Sequence, residues 1–296
     1  MRFLLDLVDP ELRLRIRERI GLAPHEVAQS GAMPSEQEQV AARRIVADPR
    51  TPLSVIGWMH AADDPEVNAL LYRGDRTPEG VRIDVMLGIP SDVDRRPGGI
   101  VRMFRSLGAT RVKRTAFELG THYYTPTTDS DERGLVATLR ERGAALELKG
   151  CREVAGTVGR QDWARIGVAD REQELPGYAR WALCVQPGCP AWLRRQLGGE
   201  DPHFAKRMRK EGIALDSADY VAHWTPVQHV LDVLDLGRWA FPEALRPAAE
   251  LSRPLVENEL GEQFEAWAVL GQLAPSFTGT LPELIRTSAA IAGGGR

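Results

Sequence analysis

The chain contains 296 residues, of which 43% are hydrophobic, and it carries a formal net charge of −3. Such a composition supports one extended hydrophobic core or two smaller ones. It excludes a membrane span, because no segment approaches a run of about 18 apolar residues. The weak net charge gives the whole molecule no bulk attraction for nucleic acids or acidic membranes.

The start of the chain and its cysteine content indicate the compartment. Asp6, Asp9 and Pro10 interrupt the N-terminal apolar residues before a secretory signal develops. Three cysteines are too few for a disulfide framework. We therefore expect a cytoplasmic protein that is not associated with a membrane.

Helix-start signals, each followed by apolar residues at helical spacing, predict five short helices in the first 90 residues. Asp9-Pro10 opens the first, and Ser35 with Glu38 forms a capping box for the second. The other three helices are predicted to begin at dipeptide steps that end in proline: Thr51-Pro52, Asp64-Pro65 and Thr77-Pro78. The Thr or Asp side chain is expected to accept hydrogen bonds from the free N–H groups of the helix, while proline occupies a position that needs no donor.

Residues 91–175 break this rhythm. Scattered glycines and the polar run 121–130 predict long loops around short elements, with one helix over about 131–142. The rhythm returns at 175, and four more steps are expected to open helices: Asp201-Pro202, Thr225-Pro226, Arg253-Pro254 and Leu281-Pro282. The sequence thus predicts N-terminal helical repeats over 1–90, an irregular linker or insertion over 91–175 and C-terminal helical repeats over 176–296.

The spacing of these steps indicates a repeat. The Thr-Pro steps at 51 and 77 are 26 residues apart, and the steps at 225, 253 and 281 recur every 28 residues. Periods of roughly 20 to 50 residues are typical of solenoids, in which each short helix is stabilised by stacking on its neighbours. The predicted fold is therefore mainly all-α, an α-solenoid of short helix pairs with an irregular central segment.

Thr-Pro at the start of one helix and Asp-Pro-x-(Val or Phe) at the start of its partner resemble the leucine-rich-repeat-variant subgroup of HEAT-like helical repeats. The second pattern occurs as Asp64-Pro65-Glu66-Val67 and as Asp201-Pro202-His203-Phe204. The resemblance covers about residues 45–90 and 175–290, and it implies a solenoid with a curved binding surface. The cysteine-ligated cluster of the subgroup's type member is not expected, because Cys151, Cys184 and Cys189 are the only cysteines.

Charge is distributed unevenly along the chain. Residues 92–114 contain seven basic and two acidic side chains, a local charge of +5. Residues 211–296 contain five basic and twelve acidic side chains, a local charge of −7. Such asymmetry steers a partner or a second copy of the chain in some proteins. Solvated helix faces are the simpler explanation.

Two clusters are predicted to bind a partner. His122, Tyr123 and Tyr124 place polar aromatic side chains on a loop, where such residues serve recognition. The second cluster is a basic stretch that two adjacent helices would present: Arg194, Arg195, Lys206, Arg207, Arg209 and Lys210. Nucleic acid is one candidate ligand of this stretch, although the acidic C-terminal third opposes it because phosphate recognition relies on a sustained positive track. The other candidates are an acidic protein patch and solvent.

The sequence lacks common catalytic and metal-binding motifs. Cys184 and Cys189 can be combined with downstream histidines, but their spacing does not match a compact zinc site. No nucleophile elbow, metalloprotease helix, dinucleotide fingerprint or phosphate loop occurs. We therefore predict no metal and no cofactor.

The leading functional prediction is a non-enzymatic helical-repeat scaffold or adaptor that binds a protein partner on its concave face. HEAT-like repeats also cradle DNA and cleave alkylated bases in some proteins, so a nucleic-acid-binding or alkylated-base repair protein is the alternative. A third possibility is an enzyme built on residues 91–175. The sequence does not specify the oligomeric state.

Overall fold

The computed structural model describes residues 1–21, 36–87, 134–160 and 162–294. Within these ranges every regular element is a helix and no strand occurs. The expectation of an all-α protein is thereby confirmed. Most of the predicted irregular segment, including His122, Tyr123 and Tyr124, lies outside the described residues.

The described residues contain seventeen α-helices. The first nine are α1 (Arg2–Leu5), α2 (Pro10–Arg19), α3 (Glu36–Ala47), α4 (Leu53–Ala62), α5 (Pro65–Arg73), α6 (Glu79–Leu87), α7 (Leu135–Ala144), α8 (Leu148–Ala155) and α9 (Asp162–Glu172). The others are α10 (Gly177–Cys184), α11 (Ala191–Arg194), α12 (Pro202–Lys210), α13 (Ser217–His223), α14 (Val227–Ala240), α15 (Arg246–Leu255), α16 (Phe264–Leu273) and α17 (Leu281–Gly293). Short π-helical segments at Arg195–Gly199 and Val256–Leu260 extend α11 and α15.

These helices form two compact units whose boundaries differ from the three predicted segments. Unit 1 combines residues 1–51 with residues 216–296, and unit 2 comprises residues 52–215. The predicted boundaries at 90 and 175 assumed that neighbours in sequence share a unit. They stay a prediction beside this division, in which N-terminal and C-terminal helices share unit 1.

Polar contacts to α14 and α15 hold the N-terminal segment in unit 1. The backbone N–H of Phe3 donates to Asp235 Oδ1 at 2.7 Å. Arg238 Nε donates to Asp6 Oδ2 at 2.5 Å, and Arg253 donates to the carbonyl of Leu7 at 2.9 Å. Phe3 is buried beside them. Each pair is more than 230 residues apart in sequence, so the pattern of local helix signals gave no indication of it.

Unit 2 has a core that extends from α7 to α12. Its members are apolar side chains and cysteines that lie almost entirely out of water, among them Leu139, Cys151, Ile166, Leu183, Leu193 and Met208. The turn at Pro187 also packs closely on α4. A Cβ added at Gly57 would lie 1.9 Å from the Pro187 carbonyl oxygen, so only glycine fits at this position.

The predicted helix starts are correct where aspartate precedes proline. Asp9, Asp64 and Asp201 each accept hydrogen bonds from backbone N–H groups of the first turn, at 2.9 to 3.1 Å. Thr51-Pro52 also precedes a helix, but the mechanism differs from the prediction. The Thr51 hydroxyl donates to the Ile45 carbonyl at 2.6 Å instead of capping α4.

The Arg253-Pro254 step does not open a helix. Pro254 lies in the last turn of α15, and the backbone continues as the π-helical segment Val256–Leu260. Here proline marks a change of helix type near a helix end, where a missing N–H disturbs few hydrogen bonds.

Among the helices of the described ranges, none has the length and apolar character required to cross a membrane.

Candidate functional site

Most exposed residues of the predicted basic stretch lie on α12 of unit 2. At 3.6 residues per turn, four side chains of this helix share one face, and all four are exposed. We call this set the basic face: His203, Lys206, Arg207 and Lys210. On the other side of the helix Phe204 and Met208 pack against the core of unit 2. The helix therefore presents its positive charges to solvent from a fixed position.

The two ends of α12 suit this arrangement. Asp201 caps the first turn by accepting the N–H of Phe204 at 2.9 Å. Arg207, Arg209 and Lys210 lie in the last turn, where positive charge interacts favourably with the helix dipole. This dipole effect is a structural reason for basic residues here, and it leaves their charge available to solvent.

Arg207 is positioned by an aromatic ring. Its guanidinium carbon lies 4.4 Å from the centroid of Trp181, which also meets Phe204 edge to face with centroids 5.1 Å apart. Cation–π contacts of this kind contribute about 0.5–1 kcal/mol at exposed sites. The contact lowers the mobility of Arg207 while its charge stays at the surface.

Lys206 and Lys210 are the open charges of the basic face. Both are exposed, and neither makes an ion pair or a hydrogen bond with any residue in the described ranges. Glu211, which follows the helix, is paired with Arg152 at 3.0 Å. The nearest acidic residue in sequence beyond the helix therefore has a partner of its own.

The predicted basic stretch is only partly assembled, and Arg194 must be removed from it. Its side chain is buried, with 2% of its surface exposed. The guanidinium donates to the carbonyls of Cys184 at 3.1 Å, Gln186 at 2.7 Å and Pro187 at 3.1 Å. Arg194 thus stabilises the turn between α10 and α11 and is not available to a partner.

The remaining predicted residues lie at the edge of the basic face or outside it. Arg195 is exposed and contacts Glu200 at 3.6 Å. Arg209 is half-buried on a different side of α12. Of the two-helix track expected from the sequence, α12 thus supplies the exposed lysines, and the neighbouring segment supplies only Arg195, which is paired with Glu200.

The cysteines considered as metal ligands lie in the core of unit 2. Burial raises the pKa of the Cys189 thiol to about 12 and raises that of Cys184 as well. Both thiols are therefore protonated at neutral pH, which disfavours metal binding. In the described ranges no group of three or more His, Cys, Asp or Glu side chains has an arrangement that would hold a metal ion.

Trp192 forms a second exposed feature of unit 2. Trp192 is 46% exposed, and Val168, which follows Gly167 on α9, is 45% exposed. The other tryptophans are buried or half-buried. The ring lies so close to Gly167 of α9 that a Cβ added to this glycine would be 2.7 Å from two atoms of the six-membered ring. Exposed tryptophans in fixed positions are typical anchors of protein interfaces.

A buried polar network that the sequence did not reveal links α4, α6 and the segment before α9. His60 Nε2 lies 3.4 Å from Asp84 Oδ2, and both side chains are almost completely buried. Arg160 donates to Asp63 at 3.0 Å and to the carbonyl of His60. Asn68 donates to Asp63 at 3.1 Å. A lone histidine in an apolar helix and a distant aspartate form no recognisable motif, so only the fold brings them together.

Burial shifts the pKa values of this pair in opposite directions. Desolvation, with a smaller contribution from Arg160, lowers the pKa of His60 to about 3. Desolvation raises the pKa of Asp84 to about 6, although the Arg160 charge and the Arg160 backbone N–H oppose the shift. At neutral pH a buried carboxylate therefore faces a neutral imidazole. The pair is enclosed, which favours a structural role over contact with a substrate.

Unit 1 contains an arrangement that is similar to a catalytic triad. Thr51 Oγ1 lies 3.1 Å from His229 Nε2, and His229 Nδ1 lies 3.8 Å from Asp48 Oδ2. However, the hydroxyl donates to the Ile45 carbonyl and Thr51 is only 1% exposed. A nucleophile must give its proton to the base and reach a substrate. This geometry instead joins the end of α3 to α14.

Comparisons of the chain with protein-family models, with curated proteins and with solved structures found no match.

Proposed function

We propose that the protein is a non-enzymatic helical-repeat scaffold and that unit 2 binds an acidic segment of a protein partner on the basic face of α12. The observation that carries this proposal is the exposed row of His203, Lys206, Arg207 and Lys210, whose two lysines have no partner in the described ranges. Complementary charge accelerates association and selects partners even when each contact adds little affinity.

A short basic row fits an acidic protein segment better than a nucleic acid. With Arg194 buried and Arg195 beside Glu200, the row is limited to one helix of nine residues, about 13 Å long. Nucleic-acid binding at physiological salt relies on many phosphate contacts along a sustained track. Trp192 supplies an exposed aromatic anchor in the same unit, which is the residue type most enriched at protein interfaces.

Helix packing supports a HEAT-like repeat as part of the same proposal. In unit 2, α4 packs against α5 and α5 against α6, and α7 packs against α8. Contacts between consecutive short helices are the basis of α-solenoids. The aspartate caps of α5 and α12 supply the local signal that the proposed repeat would share.

The test measures binding of a fluorescein-labelled glutamate-rich peptide by anisotropy, beside a lysine-rich peptide and random single-stranded DNA. We expect the glutamate-rich peptide to bind and the other two to remain unbound at ~150 mM salt. The double variant Lys206→Glu with Lys210→Glu should weaken peptide binding about tenfold or more. The control is Lys149→Glu, which changes a lysine of α8 that lies outside the basic face and whose side chain is 93% exposed.

Two results would contradict the proposal. Sub-micromolar DNA binding at ~150 mM salt that is lost in the double variant would assign the basic face to nucleic acid. An equal loss of peptide binding in the Lys149 variant would show that only net charge matters. Thermal unfolding of each variant establishes that the helices remain intact.

A further inference from the structure

A groove in unit 1 has the size of a small-molecule site. It lies between α3 and α14 beside α1 and encloses about 350 Å³. Ligand sites of globular proteins start at roughly 300 Å³. The groove is lined by Arg2, Ala41, Arg44, Ile45, Asp232, Asp235, Leu236 and Trp239. It is separate from the basic face, which belongs to unit 2.

The groove arises from the helical spacing of its walls. Asp232, Asp235, Leu236 and Trp239 follow one another at three- and four-residue steps along α14, so they share one side of that helix. Arg44 and Ile45 face them from the last turns of α3. Two helix faces that pack against each other thus leave a space with one aromatic and several charged side chains.

The two carboxylates of the groove already have partners inside the protein. Asp235 accepts the backbone N–H of Phe3 at 2.7 Å and that of Arg2 at 3.3 Å. Asp232 accepts the side-chain amide of Gln228 at 2.8 Å. The Met1 ammonium also pairs with Asp235 at 3.0 Å, so both oxygens of Asp235 and one oxygen of Asp232 accept hydrogen bonds from the protein itself.

The two guanidinium groups have no such partner. Neither Arg2 nor Arg44 makes a side-chain hydrogen bond or an ion pair with any residue that the structure describes. Guanidinium groups bind carboxylates and phosphates through two parallel hydrogen bonds. Trp239, Ile45 and Leu236 provide an apolar surface beside them. The groove therefore offers a place for one anionic group and for a flat apolar body.

We propose that this groove binds a small molecule in which a carboxylate or phosphate is attached to an aromatic or similarly flat apolar group. The anion would contact Arg2 and Arg44, and the ring would pack on Trp239. This proposal goes beyond the binding of a protein partner and concerns a different unit of the chain.

The test titrates phenyl phosphate into the full chain by ligand-observed NMR, with phenethylamine, benzyl alcohol and inorganic phosphate as comparison probes. We expect saturable binding of phenyl phosphate and at least about fivefold weaker binding of the other three. Arg44→Gln should weaken phenyl phosphate binding by about tenfold. The matched control is Arg43→Gln, which changes an exposed arginine of the same helix that does not line the groove.

Each other outcome would overturn the proposal. Phenethylamine binding as tightly as phenyl phosphate would show that the carboxylates govern the groove. If inorganic phosphate bound as tightly as phenyl phosphate, the apolar contact would contribute nothing to binding. If the two arginine variants weakened binding equally, the anion would bind somewhere other than at Arg44. If phenyl phosphate showed no saturable binding to the full chain, and thermal unfolding showed the chain to be folded, the groove would not have this function.

Discussion

The indole of Trp192 lies against Gly167, where a Cβ would approach two atoms of the ring to 2.7 Å. Glycine at this position of α9 lets an otherwise exposed aromatic side chain lie close to the helix backbone. The contact limits the positions of the ring without burying it, since 46% of the residue is in contact with solvent. A restrained aromatic group of this kind loses little conformational entropy when a partner binds.

Gly167→Ala should move the Trp192 ring further into solvent. The free energy of unfolding should change by no more than about 1 kcal/mol, because the higher helix propensity of alanine offsets the displaced contact. Acrylamide quenching is measured for each protein and for its counterpart carrying Trp192→Phe. The difference between the two isolates the fluorescence of Trp192. Gly177→Ala is the control, since a Cβ there meets nothing within 4 Å. Unchanged quenching of Trp192 would contradict the proposed contact.

Arg194→Met should destabilise the protein by about 2–5 kcal/mol, because it removes the donor of three carbonyl groups at the turn between α10 and α11. Methionine keeps most of the buried volume, so the loss reflects hydrogen bonding more than packing. Arg195→Met should cost less than about 1 kcal/mol, since that side chain is exposed and its ion pair with Glu200 lies at the surface. Chemical denaturation of both variants measures the difference. Equal effects would show that Arg194 has no special structural role.

The cap of α12 is expected to be worth about 1 kcal/mol, the usual contribution of an N-terminal aspartate. Asp201→Ala should therefore lower the free energy of unfolding by about that amount, and Asp201→Asn should restore most of it because asparagine is also a good cap. Hydrogen exchange of the first-turn amides, measured with chemical denaturation, would localise the effect. Loss of protection elsewhere but not in α12 would contradict this assignment.

The His60–Asp84 pair predicts opposite pH dependences for two single variants. The pKa of Asp84 is raised from 3.8 to about 6 in the folded protein, so its contribution favours folding at low pH and is lost as the pH rises from about 4 to 6. The pKa of His60 is lowered from 6.5 to about 3, so its contribution is present above 6.5 and is lost as the pH falls toward 3. Between about pH 4 and 6 the two contributions oppose each other.

His60→Gln retains only Asp84 of the pair. Its free energy of unfolding relative to the parent chain should therefore fall as the pH rises from about 4 to 6. Asp84→Asn retains only His60, and its free energy of unfolding relative to the parent chain should rise over the same pH range. Urea denaturation at several pH values measures how the free energy of unfolding of each variant, relative to the parent chain, changes with pH. For the double variant this difference should not change with pH over the same range. Slopes of the same sign in the two variants would show that burial does not control this pair.

Part of this structure follows from local sequence. Asp9, Asp64 and Asp201 begin helices because a short carboxylate before proline satisfies N–H groups only a few residues away. The Leu281-Pro282 step also located α17, although the cap that the structure shows is Thr280, whose N–H donates to Glu283 at 2.8 Å. It also gave the all-α class, since helical spacing and caps agree along most of the described chain. Such interactions depend on neighbours in sequence and are independent of the rest of the fold.

Tertiary structure decided which of the predicted residues are available for function. Arg194 and Lys206 are both basic and lie close in sequence, yet one is enclosed by carbonyl groups and the other is exposed. The contact of Phe3 with Asp235 and that of His60 with Asp84 join residues that no local pattern relates. Burial and partner choice depend on how distant helices pack. The sequence by itself therefore determined where several helices begin, whereas the packed structure determined the two units, the extent of the basic face and the groove beside Trp239.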